Sequence, residues 1–178
     1  MSAWTVISHQ ELGSGITVIT FNSIPQTYTD LYLTISSRTT GSNPEDLYIA
    51  FNGSSDSWAF RRLYGTGSAV DSDTLTSGNT SGRIGRVNSG GYTSNTFSST
   101  AVYIPNYGSS VRKSITSDTV EENNATQAFQ MIFSTLWSKS GAVSSLTVRI
   151  LSGAAFSENS SATLYGITAG SSGGVTVS

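Results

Sequence analysis

The sequence predicts an all-β fold, a jelly-roll-like antiparallel β-sandwich of about nine or ten strands with extended terminal arms. Three observations point there. Short runs alternate apolar and polar residues with period two, Pro-, Gly-, Asn- and Ser-rich turns separate them, and no segment carries a convincing helical pattern or a repeat of 20–50 residues. Composition agrees: charged residues make up 11% of the 178, against about 25% in ordinary soluble domains, while Ser and Thr supply about a third. The many β-branched and aromatic residues separate this chain from hydroxyl-rich disordered ones. A surface of hydroxyls rather than charges is cheaply desolvated, which suits a protein that is covered by partners.

In chain order, residues 4–8 (WTVIS) open as an arm or first strand anchored by Trp4. Residues 16–21 (ITVITF) are apolar on both faces, as expected of a strand buried from both sides or covered by another subunit. A turn at Ser23-Ile24-Pro25-Gln26 leads to 30–37 (DLYLTISS), with Leu31, Leu33 and Ile35 on one face and Tyr32, Thr34 and Ser36 on the other. Residues 47–51 (LYIAF) put Leu47, Ile49 and Phe51 inward and stop at Asn52-Gly53, a strong turn pair. The next strand, 56–65 (DSWAFRRLYG), has Trp58, Phe60 and Tyr64 as its apolar positions.

Residues 66–96 are dominated by Gly, Ser, Thr, Asn and Asp and are expected to form a long excursion at one end of the sheets, with one brief strand at 83–87 (RIGRV). Strands resume at 97–104 (FSSTAVYI) and, half-buried, at 109–121 (SSVRKSITSDTVE). The run 128–138 (AFQMIFSTLWS) fits a helix through Phe129, Ile132, Phe133 and Leu136, or a strand broken by a bulge. Its all-β neighbourhood favours the strand. Residues 142–151 place Leu146, Val148 and Ile150 inward, and 162–167 (ATLYGI) close the fold. The division expected is an arm or first strand at 1–12, a sandwich at 13–169 and a flexible tail at 170–178, whose β-type tip holds Val175 and Val177 and suits strand addition to a neighbour.

Residues bearing chemistry are few. His9 is the one histidine and cysteine is absent, so a Cys/His pair is impossible and transition-metal ligands are short; no cofactor or metal site is expected. The carboxylate groups Glu45/Asp46, Asp71/Asp73 and Asp118/Glu121/Glu122 fall at turns or strand ends and read as solvated acids, with Asp71-Ser72-Asp73 a weak calcium alternative. Gly13-Ser14-Gly15 and Gly65-Thr66-Gly67 lack the helix and lysine of a phosphate loop. A net charge of −2, with basic pairs only at Arg61-Arg62 and Arg112-Lys113, gives nucleic acid no footprint. The N-terminal residues do not have the pattern of a secretory signal and no apolar run reaches the length of a membrane span, so a soluble product of a cytoplasm, not an enzyme, is expected. The aromatic residues Tyr28, Trp58, Tyr64, Tyr92, Tyr107 and Trp137 sit at or near turns, where they cap the core, anchor an interface or stack on sugars.

Four stretches carry a family resemblance: ITVITFNSIPQTYTDLYLTISSR, STAVYIPNYGSSVRKSITSDTVEENNATQ, LWSKSGAVSSLTVRI and FSENSSATLYGIT. In this order they resemble a group of small virion proteins of tailed bacteriophages, many from aquatic hosts such as cyanobacteria. The resemblance runs from about Trp4 to Thr168 and fades across 66–96. It implies a capsid decoration, or cement, protein: a homotrimer on the outer surface of the virion, assembled in the host cytoplasm and bound to major capsid protein, without cofactor, nucleic acid or membrane. A receptor-binding module of a head or tail fibre that grips host glycans is the alternative. Expected interface residues are Trp4, His9, Tyr28, Trp58, Tyr107, Val175 and Val177.

Overall fold

The computed structural model describes residues 4–122 and 128–169, all of them strands, turns and connections. Among these residues twelve strands are formed, two or three more than expected: β1 (Trp4–Glu11), β2 (Val18–Phe21), β3 (Asp30–Ser37), β4 (Glu45–Phe51), β5 (Trp58–Gly65), β6 (Val70–Asn79), β7 (Gly82–Val87), β8 (Ser98–Ile104), β9 (Lys113–Glu122), β10 (Ala128–Trp137), β11 (Leu146–Ile150) and β12 (Ser161–Ile167). They make two antiparallel sheets. The larger has eight strands in the order β1-β12-β3-β8-β9-β10-β5-β6, the smaller four in the order β2-β11-β4-β7.

A simple rule underlies this order. Strand β1 pairs with β12, β2 with β11, β3 with β8 and β4 with β7. Those eight strands are an antiparallel ribbon rolled into two four-stranded sheets, the jelly roll that the sequence predicts. The other four are insertions. Strands β5 and β6 enter between β4 and β7, β9 and β10 between β8 and β11, and the β5–β10 pairing joins both insertions to the β8 edge.

The core fills the space between the sheets. Alternation in β3 buries Leu31, Leu33 and Ile35, and β12 adds Ala162 and Leu164. From the smaller sheet come Ile19, Phe21, Leu47, Ile49, Phe51, Leu146, Val148 and Ile150. At one end Phe51, Trp58 and Trp137 form an aromatic cluster, with ring centroids 5.2 to 6.1 Å apart. Strand β7 lies closest to the larger sheet because it presents glycine there. A Cβ on Gly82 would stand 2.5 Å from Trp58 and Thr135, and one on Gly85 would collide with Thr119 Oγ1.

Several expectations need correction. Residues 66–96 are not a loop excursion: they carry β6 as well as β7. Residues 88–97 are held from inside by Arg38, whose guanidinium donates to the carbonyls of Gly90, Tyr92, Thr93 and Thr96 at 2.8–3.0 Å. Of the two readings of the N-terminal stretch, arm or first strand, the strand holds: residues 4–11 are the edge strand β1. Strand β10 alternates without a bulge, burying Met131, Phe133, Thr135 and Trp137 and exposing Ile132 and Leu136. Strand β2 is not buried from both sides: Ile19 and Phe21 face the core, while Val18 on the other face is 43% exposed. Strand β9 buries more than expected, since Lys113, Ile115, Ser117, Thr119 and Glu121 all face inward.

Candidate functional site

Two surfaces collect the residues with binding chemistry: the outer face of the larger sheet, and a groove where its inserted strands outrun the smaller sheet.

On the outer face, register aligns residues in rows across all eight strands. One begins Val6–Tyr165–Tyr32–Tyr103 and continues Thr116–Ser134–Arg61–Thr74. Trp4 packs edge-on against Tyr32 and Tyr165, with centroids 5.0 and 6.0 Å away. The next row runs His9–Thr163–Thr34–Ala101 and then Asp118–Ile132–Leu63–Ser72. His9 Nδ1 lies 2.7 Å from Thr163 Oγ1. Arg61 and Asp118 are the guanidinium and the carboxylate of these two rows, among hydroxyl, aromatic and aliphatic side chains. Ile132 and Leu63 are direct cross-strand neighbours, 51% and 49% exposed.

The groove, about 370 Å³, is lined by Pro44, Glu45, Asp46, Arg62, Tyr64, Arg83 and Arg86. Alternation along β5 explains its floor: Trp58, Phe60, Arg62 and Tyr64 share the inward face, apolar beneath β7 and polar beyond it. Strand β6 supplies the partners. Arg62 donates to Asp73 at 2.5 Å and lies over the Tyr64 ring at 4.3 Å, and the Tyr64 hydroxyl donates to Asp71 at 3.0 Å. Arg83 pairs with Asp46, reaches Asp73 at 3.5 Å and stands 5.7 Å from the Phe60 and Phe133 ring centres. Arg86 meets the fully buried Glu121 at 3.4 Å.

Burial sets the titration behaviour here. It lowers Arg83 below the ordinary arginine value, against the pull of Asp46. It raises Glu121 above the ordinary carboxylate range, although Arg86 and Tyr92 oppose the shift. Burial and then the Asp46 charge raise the Tyr48 hydroxyl, and the hydrogen bond to Asp71 raises that of Tyr64.

The expected interface residues divide. Trp4 and His9 lie on the exposed outer face of β1. Tyr28 is half-buried, its ring filling the space left by the absent side chain of Gly166. Trp58 and Tyr107 are corrections: both are 0% exposed core residues, and the Tyr107 hydroxyl donates to the Pro25 carbonyl. Val175 and Val177, with the rest of 170–178, lie outside the described residues. Asp71 and Asp73 keep contact with solvent but lie on strand β6 rather than in a turn, with Tyr64 and Arg62 as partners, while Glu121, expected to be a solvated acid, is wholly buried. Sequence reasoning missed Arg62, Arg83 and Arg86 as a group. The available signal was period two in WAFRRLYG, which puts Arg62 on the core face with Trp58 and Phe60.

Among the described residues no group of three or more His, Cys, Asp or Glu side chains is arranged to hold a metal ion. No protein-family model matches this chain, and no curated protein or solved structure matches it.

Proposed function

We propose that this chain is a virion structural protein of a tailed bacteriophage that decorates the outer capsid surface and clamps neighbouring copies of major capsid protein. The outer face of the eight-stranded sheet is the observation that carries this reading. It spreads hydroxyl, tyrosine and aliphatic side chains over the full sheet width, with a single guanidinium and a single carboxylate in its two central rows. Such a face packs against protein with little desolvation cost, and its exposed aromatic residues supply anchors. The four sequence stretches that resemble small phage virion proteins point the same way. Association as a homotrimer multiplies weak contacts into firm holding through avidity. The exposed face of β2, with Ile16 and Val18, supplies a second apolar strip for contact between copies.

Antibody labelling of purified virions, viewed by electron microscopy, tests the location. Label spread evenly over the heads is expected. Label confined to the tail tip or to sparse projections transfers the protein to host recognition, and unlabelled virions overturn both assignments. Ile132→Lys then tests the face. A substitution at so exposed a site keeps stability within about 0.5 kcal/mol, and the variant is expected to fold normally yet lose most of its capsid binding. Undiminished binding would remove the outer face from the contact.

A further inference from the structure

We propose that the groove between β7 and the β5–β6 hairpin is a binding site for a neutral saccharide. It faces the side of the larger sheet opposite the surface assigned to capsid contact, so both can be occupied together and each can fail without the other.

The chemistry of the walls selects the ligand. Every guanidinium there already engages a carboxylate: Arg62 with Asp73, Arg83 with Asp46 and Asp73, Arg86 with Glu121. An anion such as phosphate or sulfate therefore finds no uncompensated positive charge. A cation fares no better, because Glu45 is the one lining carboxylate outside those pairs. What the walls offer is an alternating array of N–H donors and carboxylate acceptors. A sugar hydroxyl, which donates and accepts at once, complements such an array.

Three further buried atoms beside the groove, Arg62 Nε, Arg83 Nε and Asp73 Oδ1, have no hydrogen-bond partner among the described residues. They are two donors and one acceptor, the same mixture again, and buried polar groups left unpaired are uncommon in native proteins. The array is also rigid. Arg62 is fixed between Asp73 and the Tyr64 ring, and Arg83, 10% exposed, between two carboxylates and two phenyl rings. A ligand pays little to order side chains held this way. The volume of about 370 Å³ lies in the range of small-ligand sites, about 300–1,000 Å³, and fits one or two sugar units rather than a long chain.

The test is an NMR titration of the ¹⁵N-labelled full chain, following the arginine Nε–Hε signals. Glucose, galactose, mannose and N-acetylglucosamine are added separately at millimolar concentration, with sodium sulfate and calcium chloride as ionic comparators. At least one sugar is expected to shift the Arg62 and Arg83 signals along a saturating curve, while neither salt does. Arg62→Lys keeps the charge but loses the planar fork, and should weaken that binding about tenfold or more. Tyr64→Phe, which removes only the hydroxyl held by Asp71, provides a second variant should Arg62→Lys disturb the fold. Shifts with sulfate or calcium but no sugar would overturn the ligand class. Sugar-induced shifts confined to Trp4, Tyr32 and their neighbours would overturn the location, and an unresponsive groove would overturn the site itself.

Discussion

Two buried charged residues show how single side chains organise this protein. Arg38 carries its charge into the interior without a carboxylate partner among the described residues, and backbone carbonyls of 90–96 take that role. One guanidinium thus replaces the regular pairing that the segment lacks. Lysine has three donors on a single nitrogen and cannot span the same set. Arg38→Lys is expected to cost roughly 2–4 kcal/mol in urea unfolding, since carbonyls are left unpaired. Amide exchange at Gly90, Tyr92 and Thr96 should quicken before the rest of the sheet opens. Glu121 presents the opposite case. Burial favours its neutral form, so folding raises its pKa. At low pH the folded and unfolded chains are both protonated there and nothing is lost. As pH climbs past about 4.3, the ordinary glutamate value, the unfolded chain releases its proton first. Stability then falls until the raised folded value is passed, and stays lower above it. Glu121→Gln should therefore be more stable than the parent at neutral pH. The difference should vanish below about pH 4, as read from urea midpoints across the pH range.

At the scale of elements, β7 decides how closely the sheets approach. Its glycines allow the backbone to sit on Thr100, Thr119, Thr135 and Trp58, and Thr100 and Thr119 share a hydroxyl hydrogen bond of 2.8 Å beneath it. Gly85→Ala is expected to cost roughly 1–3 kcal/mol by overpacking. Adding Thr119→Ala should recover part of that, giving a double variant less destabilised than the sum of the two singles. This close packing also explains what the sequence left hidden. Strands β3, β4 and β11 were legible because each buries aliphatic residues at every second position. Strand β9 hides its inward face behind Lys113, Ser117, Thr119 and Glu121, polar residues that fit under a glycine strand but look like surface. Strand β6 was missed because VDSDTLTSGN shows no apolar alternation, its inward residues Asp71 and Asp73 being there to pair with Tyr64 and Arg62. The groove was therefore illegible for the same reason as the strand that completes it. Trp58 and Tyr107 were assigned to a surface because turns flank them, yet those turns cap the core rather than display side chains.

At the scale of the whole fold, the eight-stranded sheet ends in β1 and β6 among the described residues, and each of these edges is blunted. Strand β1 carries an irregularity between Val6 and Ser8, and β6 alternates Asp71 and Asp73 along its length. Bulges and edge charges oppose uncontrolled sheet extension, so copies should meet through faces rather than edges. Sedimentation of the purified chain is expected to show a discrete species and no open-ended polymer. Polymers growing with concentration would contradict the protected edges.

Because β1 and β12 are partners, Trp4 stands opposite Ile167, and the chain enters and leaves the fold at one pole. Residues 4–167 are therefore a nearly closed ring, cut where β1 begins. A short Gly/Ser bridge should seal that cut, and the ring can be reopened at the exposed 66–69 turn, where Gly67 has φ +86°. Such a circular permutant is expected to keep the parental circular dichroism spectrum and cooperative unfolding. A cargo fused ahead of Trp4 would leave the domain beside one fused after Ile167, so both would project from the same pole of the sandwich.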